Sequence, residues 1–325
     1  MNIKKLLLNM GEYMIKIINF DNCKNSNIGY GGHSGSKRGI IYNNEKWFIK
    51  YPKNTKSMDN VALSYTTMPI SEYLGSKIYE SVGLATHETV LGFADGKIVV
   101  ACKDFLKSNE DILDYNAIKN NYDAKVEEYI LKHSSSTSNF TDDINELIFI
   151  MDNNRFFKEV PDLKKHFWDL FIIDALINNN DRNEGNWGLI INRDTYNLSI
   201  APVYDNGAAF YGKSDDEKLK KLLLDDNKFI QVAYDSSTSV FRENDKIINP
   251  LKYIESMKCD ECNRALLRII PKINLNEIKK IFDEIPSEYN GEKVFSKNQK
   301  EFYYRILEYR YNKVLMPIYN KLFIN

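Results

Sequence analysis

Cysteine and histidine are scarce in this chain, with four of each scattered among 325 residues. That scarcity excludes a disulfide framework and makes a reducing, cytosolic setting the default. It also leaves little for a zinc site. Cys259-Asp-Glu-Cys262 is a single C-x2-C pair without further ligands at a matching spacing, and it reads as chance placement at the start of a helix. His33, His87, His133 and His166 show no ligand spacing. His33 lies in a glycine-rich stretch, where it can touch phosphate; the others read as surface or structural residues. No apolar run approaches the length of a membrane span, so no membrane contact is expected. Near the start, the run Leu6 to Leu8 is too short for a signal-peptide core. Residues 1–13 read as a leader or an upstream extension outside the fold, and Met14 opens the first strand-like segment. Net charge is −1, so no basic field recruits nucleic acid. What remains is an ordinary soluble balance, 43% hydrophobic and 27% charged, with room for about two domains. The expected location is cytoplasmic, with a secreted effector lacking a signal peptide as the alternative.

The pattern changes along the chain. Ile15 to Phe20 alternates as a strand, and Gly29-Tyr-Gly-Gly-His-Ser-Gly-Ser-Lys37 is a glycine-rich loop. Arg38 to Tyr42 and Lys46 to Tyr51 read as a hairpin turned at Asn43-Asn44. Pro69 to Val82 has helical spacing, with Ile70, Tyr73, Leu74, Ile78 and Val82 on one face. Thr89 to Phe93 and Lys97 to Lys103 pair across Asp95-Gly96. These elements define a small α+β lobe, 14–105. The rest, 106–325, reads as mostly helical, with amphipathic segments near 109–118, 123–132 and 141–152 and a polar loop His133–Asn139. Phe167 to Ile177 is apolar almost all round and reads as a buried helix. Leu189 to Ile191 and Leu198 to Ala201 are short strands, and later helices are expected at 216–225, 250–257, 260–270, 275–284 and 296–323.

Two short segments carry the most chemistry. Asp181-Arg-Asn-Glu-Gly-Asn186 precedes Tyr204-Asp205-Asn206-Gly207, with Asn186 five residues after Asp181 and Asp205 nineteen after Asn186. One carboxylate to orient a hydroxyl, then an amide and a carboxylate to hold Mg2+, is the set that phosphoryl transfer needs. Gly207 would allow a sharp turn beside Asp205. Each residue alone reads as a cap or turn; the three together, after a buried helix and around a hairpin, favour function. Upstream, four glycines among nine positions let backbone N–H groups approach phosphate. This is not a Walker A loop, because a strand follows rather than a helix. Lys50, flanked by apolar residues in Phe48-Ile-Lys-Tyr-Pro52, is expected to point into a cleft and contact phosphates, with Glu72 as its ion-pair partner. Lys46 and Lys53 read as solvated. A hinge at Cys102-Lys-Asp-Phe105 would offer the backbone of Lys103 and Phe105 to an adenine edge; a plain strand end is the alternative.

These residues in this order resemble the HipA-type serine/threonine kinases. The resemblance runs from about Met14 to at least Pro286, and it includes Ser71-Glu-Tyr73, Ala201-Pro-Val-Tyr-Asp-Asn-Gly207 and Ala265-Leu-Leu-Arg-Ile-Ile-Pro271. It implies an α+β, bilobal protein-kinase-like fold with a small β-rich first lobe and a large helical second lobe. It implies ATP and Mg2+ as cofactors and a protein as substrate. Gly31, Gly32, His33, Ser34, Gly35, Ser36 and Lys37 would cover the phosphates, and Lys50 would contact them with support from Glu72. Lys103 and Phe105 would hold adenine, and Tyr204 would lie against the nucleotide. Asp181 would be the catalytic base, with Asn186 and Asp205 as metal ligands. The family implies autophosphorylation at Ser34 or Ser36 and a toxin or effector role. One position departs from the pattern: Asn183 stands where the family often has His, keeping a hydrogen-bond donor without the charge. An antitoxin partner belongs to the family's associations but has no support in this sequence. A small-molecule or lipid kinase on the same fold, and a nucleotide-binding pseudokinase or interaction module, are the alternative readings.

Overall fold

The computed structural model describes residues 14–29, 37–59, 61, 63–121 and 143–324. The expected leader, the glycine-loop positions Gly31, Gly32, His33, Ser34, Gly35 and Ser36, the expected helix at 123–132 and the loop His133–Asn139 lie outside the described residues. The chain forms two compact units. The first gathers the residues up to Asp104 with Asn206–Phe229 and Asn274–Glu308; the second gathers Phe105–Asp205, Ile230–Ile273 and the residues from Tyr309 onward.

The first unit is built on a six-stranded sheet. Its strands are β1 (Ile18–Asn19), β2 (Lys24–Asn25), β3 (Lys37–Tyr42), β4 (Glu45–Lys50), β5 (Thr89–Ala94) and β6 (Lys97–Lys103), in the order β1-β5-β6-β4-β3-β2. Only β1 and β5 are parallel. Both expected hairpins form. Asn43 and Asn44 take φ 50° and 62°, and Asp95 and Gly96 take 50° and 70°, the paired left-handed residues that tight hairpins demand. The first strand is shorter than Ile15–Phe20, because the Ile15 N–H donates to Glu284 O instead; Phe20 joins the sheet core with Ile40, Trp47, Ile49, Ala94, Val99 and Ala101. Helix α1 (Met68–Ser81) opens with a proline in its first turn and packs on β5 and β6. The helix Leu275–Asp283 packs on α1 in turn.

The second unit pairs helices with a three-stranded antiparallel sheet of β7 (Glu110–Asp114), β8 (Gly188–Asn192) and β9 (Leu198–Ile200). The segment 109–118 is therefore not a helix throughout: β7 is followed by a helix of one turn and a half, Tyr115–Lys119. The adjacent Ile112 and Leu113 fit either periodicity, and pairing with Ile190 and Leu189 across the ladder decides for the strand. Helix α2 (Asp162–Ile177) is buried along almost its whole length and packs against the helix Asp260–Ile269. Its aromatic residues Phe167, Trp168 and Phe171 meet Trp187, Phe241 and Tyr253. The long helix expected at 296–323 is divided into Lys297–Tyr309, a π-helical stretch Arg310–Leu315 and Met316–Ile324. Its widened turn begins at Arg310, a wholly buried arginine that is drawn inward. Two short helices, Arg155–Glu159 and Asp226–Ile230, are too brief to show periodicity in the sequence. No helix among the described residues is long and apolar enough to cross a membrane.

Candidate active site

Lys50 ends β4. Alternation along that strand sends Trp47 and Ile49 into the sheet core, and Phe48 and Lys50 to the opposite face. There the Lys50 ammonium donates to Glu72 Oε2 at 2.8 Å, with Lys50 9% and Glu72 1% exposed. Glu72 meets two more groups. His87 Nε2 lies 3.0 Å from its Oε1, and the backbone N–H of Asn206 donates to the same oxygen at 3.1 Å. Burial alone would push the Glu72 carboxyl up, but the Lys50 ammonium and the His87 hydrogen bond outweigh it and hold the group well below its ordinary value. Glu72 is therefore an anion, and His87 donates to it from Nε2. Lys46 and Lys53 are exposed, as their flanking residues suggest.

Two glycines bring the backbone around Asn206 close to α1. A Cβ at Gly75 would lie 2.6 Å from Asn206 Cβ, and one at Gly207 would lie 3.3 Å from Glu72 Oε2. The sharp turn expected of Gly207 is made elsewhere, because the left-handed residue is Asp205 itself, at φ 57°. Gly207 is small so that Glu72 fits beside it. Asn206 also donates from Nδ2 to Ser76 Oγ at 3.2 Å. Glu72, Gly75 and Ser76 stand at helical spacing and form a second, polar buried face on α1.

In the second unit, α2 stops at Asn178, which takes φ 58°. The carbonyls left over at that helix end find a cation. Arg310 donates from Nη1 to Ala175 O at 3.0 Å and Leu176 O at 3.2 Å, and from Nη2 to Asn178 Oδ1 at 2.9 Å. The loop that follows is held by Arg182. Its Nε and Nη2 grip both oxygens of Asp174 at 2.9 and 3.1 Å. Its Nη1 donates to Asn186 O at 2.9 Å and Tyr204 O at 2.7 Å. One guanidinium thus fixes Asn186 and the residue before Asp205. A buried carboxylate in the apolar second half of this helix requires such a partner, and Asp174 was the readable signal for it. Asp169, on the same helix, is matched by Arg268 at 2.7 Å.

Asp181 is exposed on this loop. Asn183 Nδ2 donates to Asp181 Oδ1 at 2.9 Å, while Asn183 Oδ1 accepts the Gly185 N–H at 3.0 Å. The residue that departs from the family pattern thus makes a side-chain hydrogen bond to Asp181. Asn186 Nδ2 donates to Asp181 O at 2.7 Å, which turns its amide oxygen the other way. Asn186 and Asp205 together offer an amide oxygen and a carboxylate. That hard-oxygen donor set suits Mg2+, which takes one or two protein oxygens plus those of a phosphate.

The structure also places the remaining candidates. The N–H groups of Lys103 and Asp104 are spent on the sheet, donating to Glu88 O and Lys46 O at 2.9 Å each. So Lys103 does not offer all its backbone groups to adenine. In the second unit the rings of Phe105 and Tyr204 lie 5.8 Å apart, tilted by 35°, and Tyr204 Oη donates to Gly185 O at 2.9 Å. Lys37 opens β3 across from Lys50, with its ammonium 5.8 Å from the centre of the Phe48 ring.

A buried lysine–glutamate pair in a sheet-and-helix unit, and an arginine-clamped loop bearing Asp181 and Asn186, mark a phosphotransferase of the protein-kinase-like class. No family model matches the chain. It is 34% identical over 300 residues to the serine/threonine-protein kinase CtkA of Helicobacter pylori strain J99, covering 92% of this chain and 86% of that one. It superimposes on the crystal structure of the H. pylori proinflammatory kinase CtkA with a TM-score of 0.83 at 31% identity, over 95% of this chain and 98% of that one. The complex of Shewanella oneidensis HipA with HipB and operator DNA aligns at a TM-score of 0.48 and 10% identity, over 98% of this chain and 73% of that one. The chain belongs to the CtkA family of serine/threonine-protein kinases, with the α+β kinase-like fold of that family.

Proposed function

We propose that this kinase transfers the γ-phosphoryl group of ATP, with Mg2+, to serine or threonine hydroxyls of proteins, its own included. The observation that carries the reading is the Arg182 clamp, which fixes Asn186 and the residue before Asp205 with a single guanidinium. In this reading Lys50, held by Glu72, binds the phosphates, and Gly31–Lys37 cover them. The Lys103 carbonyl and the Phe105 N–H hold adenine, with Tyr204 against the nucleotide. Asp181 orients the acceptor hydroxyl and takes its proton as the new O–P bond forms and the bond to the β-phosphate oxygen breaks, releasing ADP. Asn186 and Asp205 would hold Mg2+, which supplies neutralisation of phosphate charge when bound. Asn183 keeps the Asp181 carboxylate aimed.

Incubation with γ-labelled ATP tests this. Label on protein with wild type and none with Asp181→Ala is expected. Label confined to small acceptors, or ATP binding without transfer, would overturn the reading. Ser34 and Ser36 are the proposed autophosphorylation sites. Intact mass after incubation with ATP should rise in wild type, and Ser34→Ala and Ser36→Ala should locate the gain. A toxin or effector role is part of the same proposal. Phosphoproteomes of cells expressing wild type against Asp205→Ala should differ at defined serine or threonine sites, and identical profiles would count against it.

A further inference from the structure

Two side chains beside Glu72 touch neither nucleotide nor acceptor in the proposed transfer, His87 and Cys102. His87 and Cys102, like Glu72, are buried, at 2%, 0% and 1% exposure. One ligand atom from each of the three lies within 4.8 Å of the other two. The His87–Glu72 separation of 3.0 Å is close to the ~3.3 Å edge of a tetrahedron built on typical zinc–nitrogen and zinc–oxygen bonds. His87 Nδ1 is buried and has no hydrogen-bond partner, so the protein leaves this ring half satisfied. Imidazole, thiolate and carboxylate form the mixed set that a borderline-soft divalent cation takes and that Mg2+ does not.

We infer that Glu72, His87 and Cys102 form an inhibitory site for a Zn2+-class cation, distinct from the Mg2+ ligands. On binding, the Cys102 S–H bond breaks and its proton leaves to solvent, the His87 proton moves from Nε2 to Nδ1, and metal–sulfur and metal–nitrogen bonds form. Zn2+ with one thiolate, one carboxylate and a neutral imidazole sums to zero charge, which a dry site tolerates. The carboxylate it takes is the one Lys50 uses. The cation therefore competes with Lys50 for Glu72 and weakens the hold of that carboxylate on the ammonium. By linkage, ATP bound at Lys50 weakens the metal to the same degree. The inhibitory consequence rests on the role proposed above for Lys50 and Glu72; the metal site itself does not.

Co2+ is the probe, added to the whole protein in wild type and Cys102→Ala, with Cys102→Ser as a second variant should the first fold poorly. Wild type should bind one more Co2+ than either variant. It should also show a near-ultraviolet thiolate-to-cobalt band that the variants lack and Zn2+ removes. Equal stoichiometry with no difference band overturns the site. In kinase assays at fixed excess Mg-ATP, the variants should need roughly 10–100-fold more Zn2+ for equal inhibition. A band in wild type with the same Zn2+ sensitivity in all three proteins overturns the coupling to Lys50. Should wild type transfer no phosphate at all, the cobalt spectra still decide the site.

Discussion

Each unit has a buried ion pair beside its candidate site residues, and the two pairs do different jobs. In the first unit the pair contains a group proposed to act: Glu72, with its ring of donors, holds Lys50. In the second unit the pair is scaffold: neither Asp174 nor Arg182 has a part in the proposed transfer, and Arg182 grips the carbonyls of Asn186 and Tyr204. Damage to the first pair should therefore show in ATP handling. Damage to the second should show in folding and catalysis together.

Asp174→Ala tests the contrast most harshly. It leaves the Arg182 cation buried without its bidentate partner, and about 3–5 kcal/mol of stability should be lost in denaturant titration. Intact stability in this variant would erase the distinction between the pairs. Next comes acid. Burial foremost, then the nearby Arg182 and Lys165 charges, lowers the His166 pKa to about 4 from its ordinary 6.5. The folded chain keeps this ring neutral while the unfolded chain protonates it. Stability is thus full above pH 6.5 and declines as pH falls toward 4, by about 3 kcal/mol in all. His166→Gln should flatten that slope in thermal melts across this range. Glu72, whose pKa is depressed, keeps its contribution above its ordinary 4.5 and loses it only in stronger acid. The second unit should thus respond to acid first, which hydrogen exchange resolved by unit would show.

Gly75→Ala forces a methyl group against Asn206 and should cost ~1–3 kcal/mol. It should also raise the KM for ATP, because the Asn206 N–H would shift from Glu72. A change in kcat alone would place Asn206 with the wrong pair. The smallest effect is expected from Asn183→Ala. One hydrogen bond to an exposed carboxylate is lost, so kcat should fall roughly fivefold to tenfold, about 1 kcal/mol, with an unchanged melting temperature.

Local patterns revealed much of this. The two hairpins, α1, the buried helix leading to Asp181 and the two strands after Asn186 follow from turn residues and periodicity. Lys50 stood out because a charge among apolar strand residues needs a reason. What escaped was long-range pairing. Arg182 sat in plain view between Asp181 and Asn183, yet its role depends on Asp174 one turn before the end of α2 and on Tyr204, which lies beyond a hairpin. His87 looked structural and is, but its service to Glu72 spans a helix and a turn. The strand at Glu110–Asp114 escaped because its partner begins at Gly188, far down the chain. The first unit likewise recruits segments from 206 and 274 onward, which no window of neighbouring residues can announce.

Arg310 also sets a schedule. It contacts Ala175 from 135 residues further along the chain. A ribosome making this protein finishes Asp181, Asn186 and Asp205 long before it adds the arginine that closes off the helix end feeding their loop. Through that interval the helix end lacks its cation. Closure of that helix end thus waits until synthesis has passed residue 310.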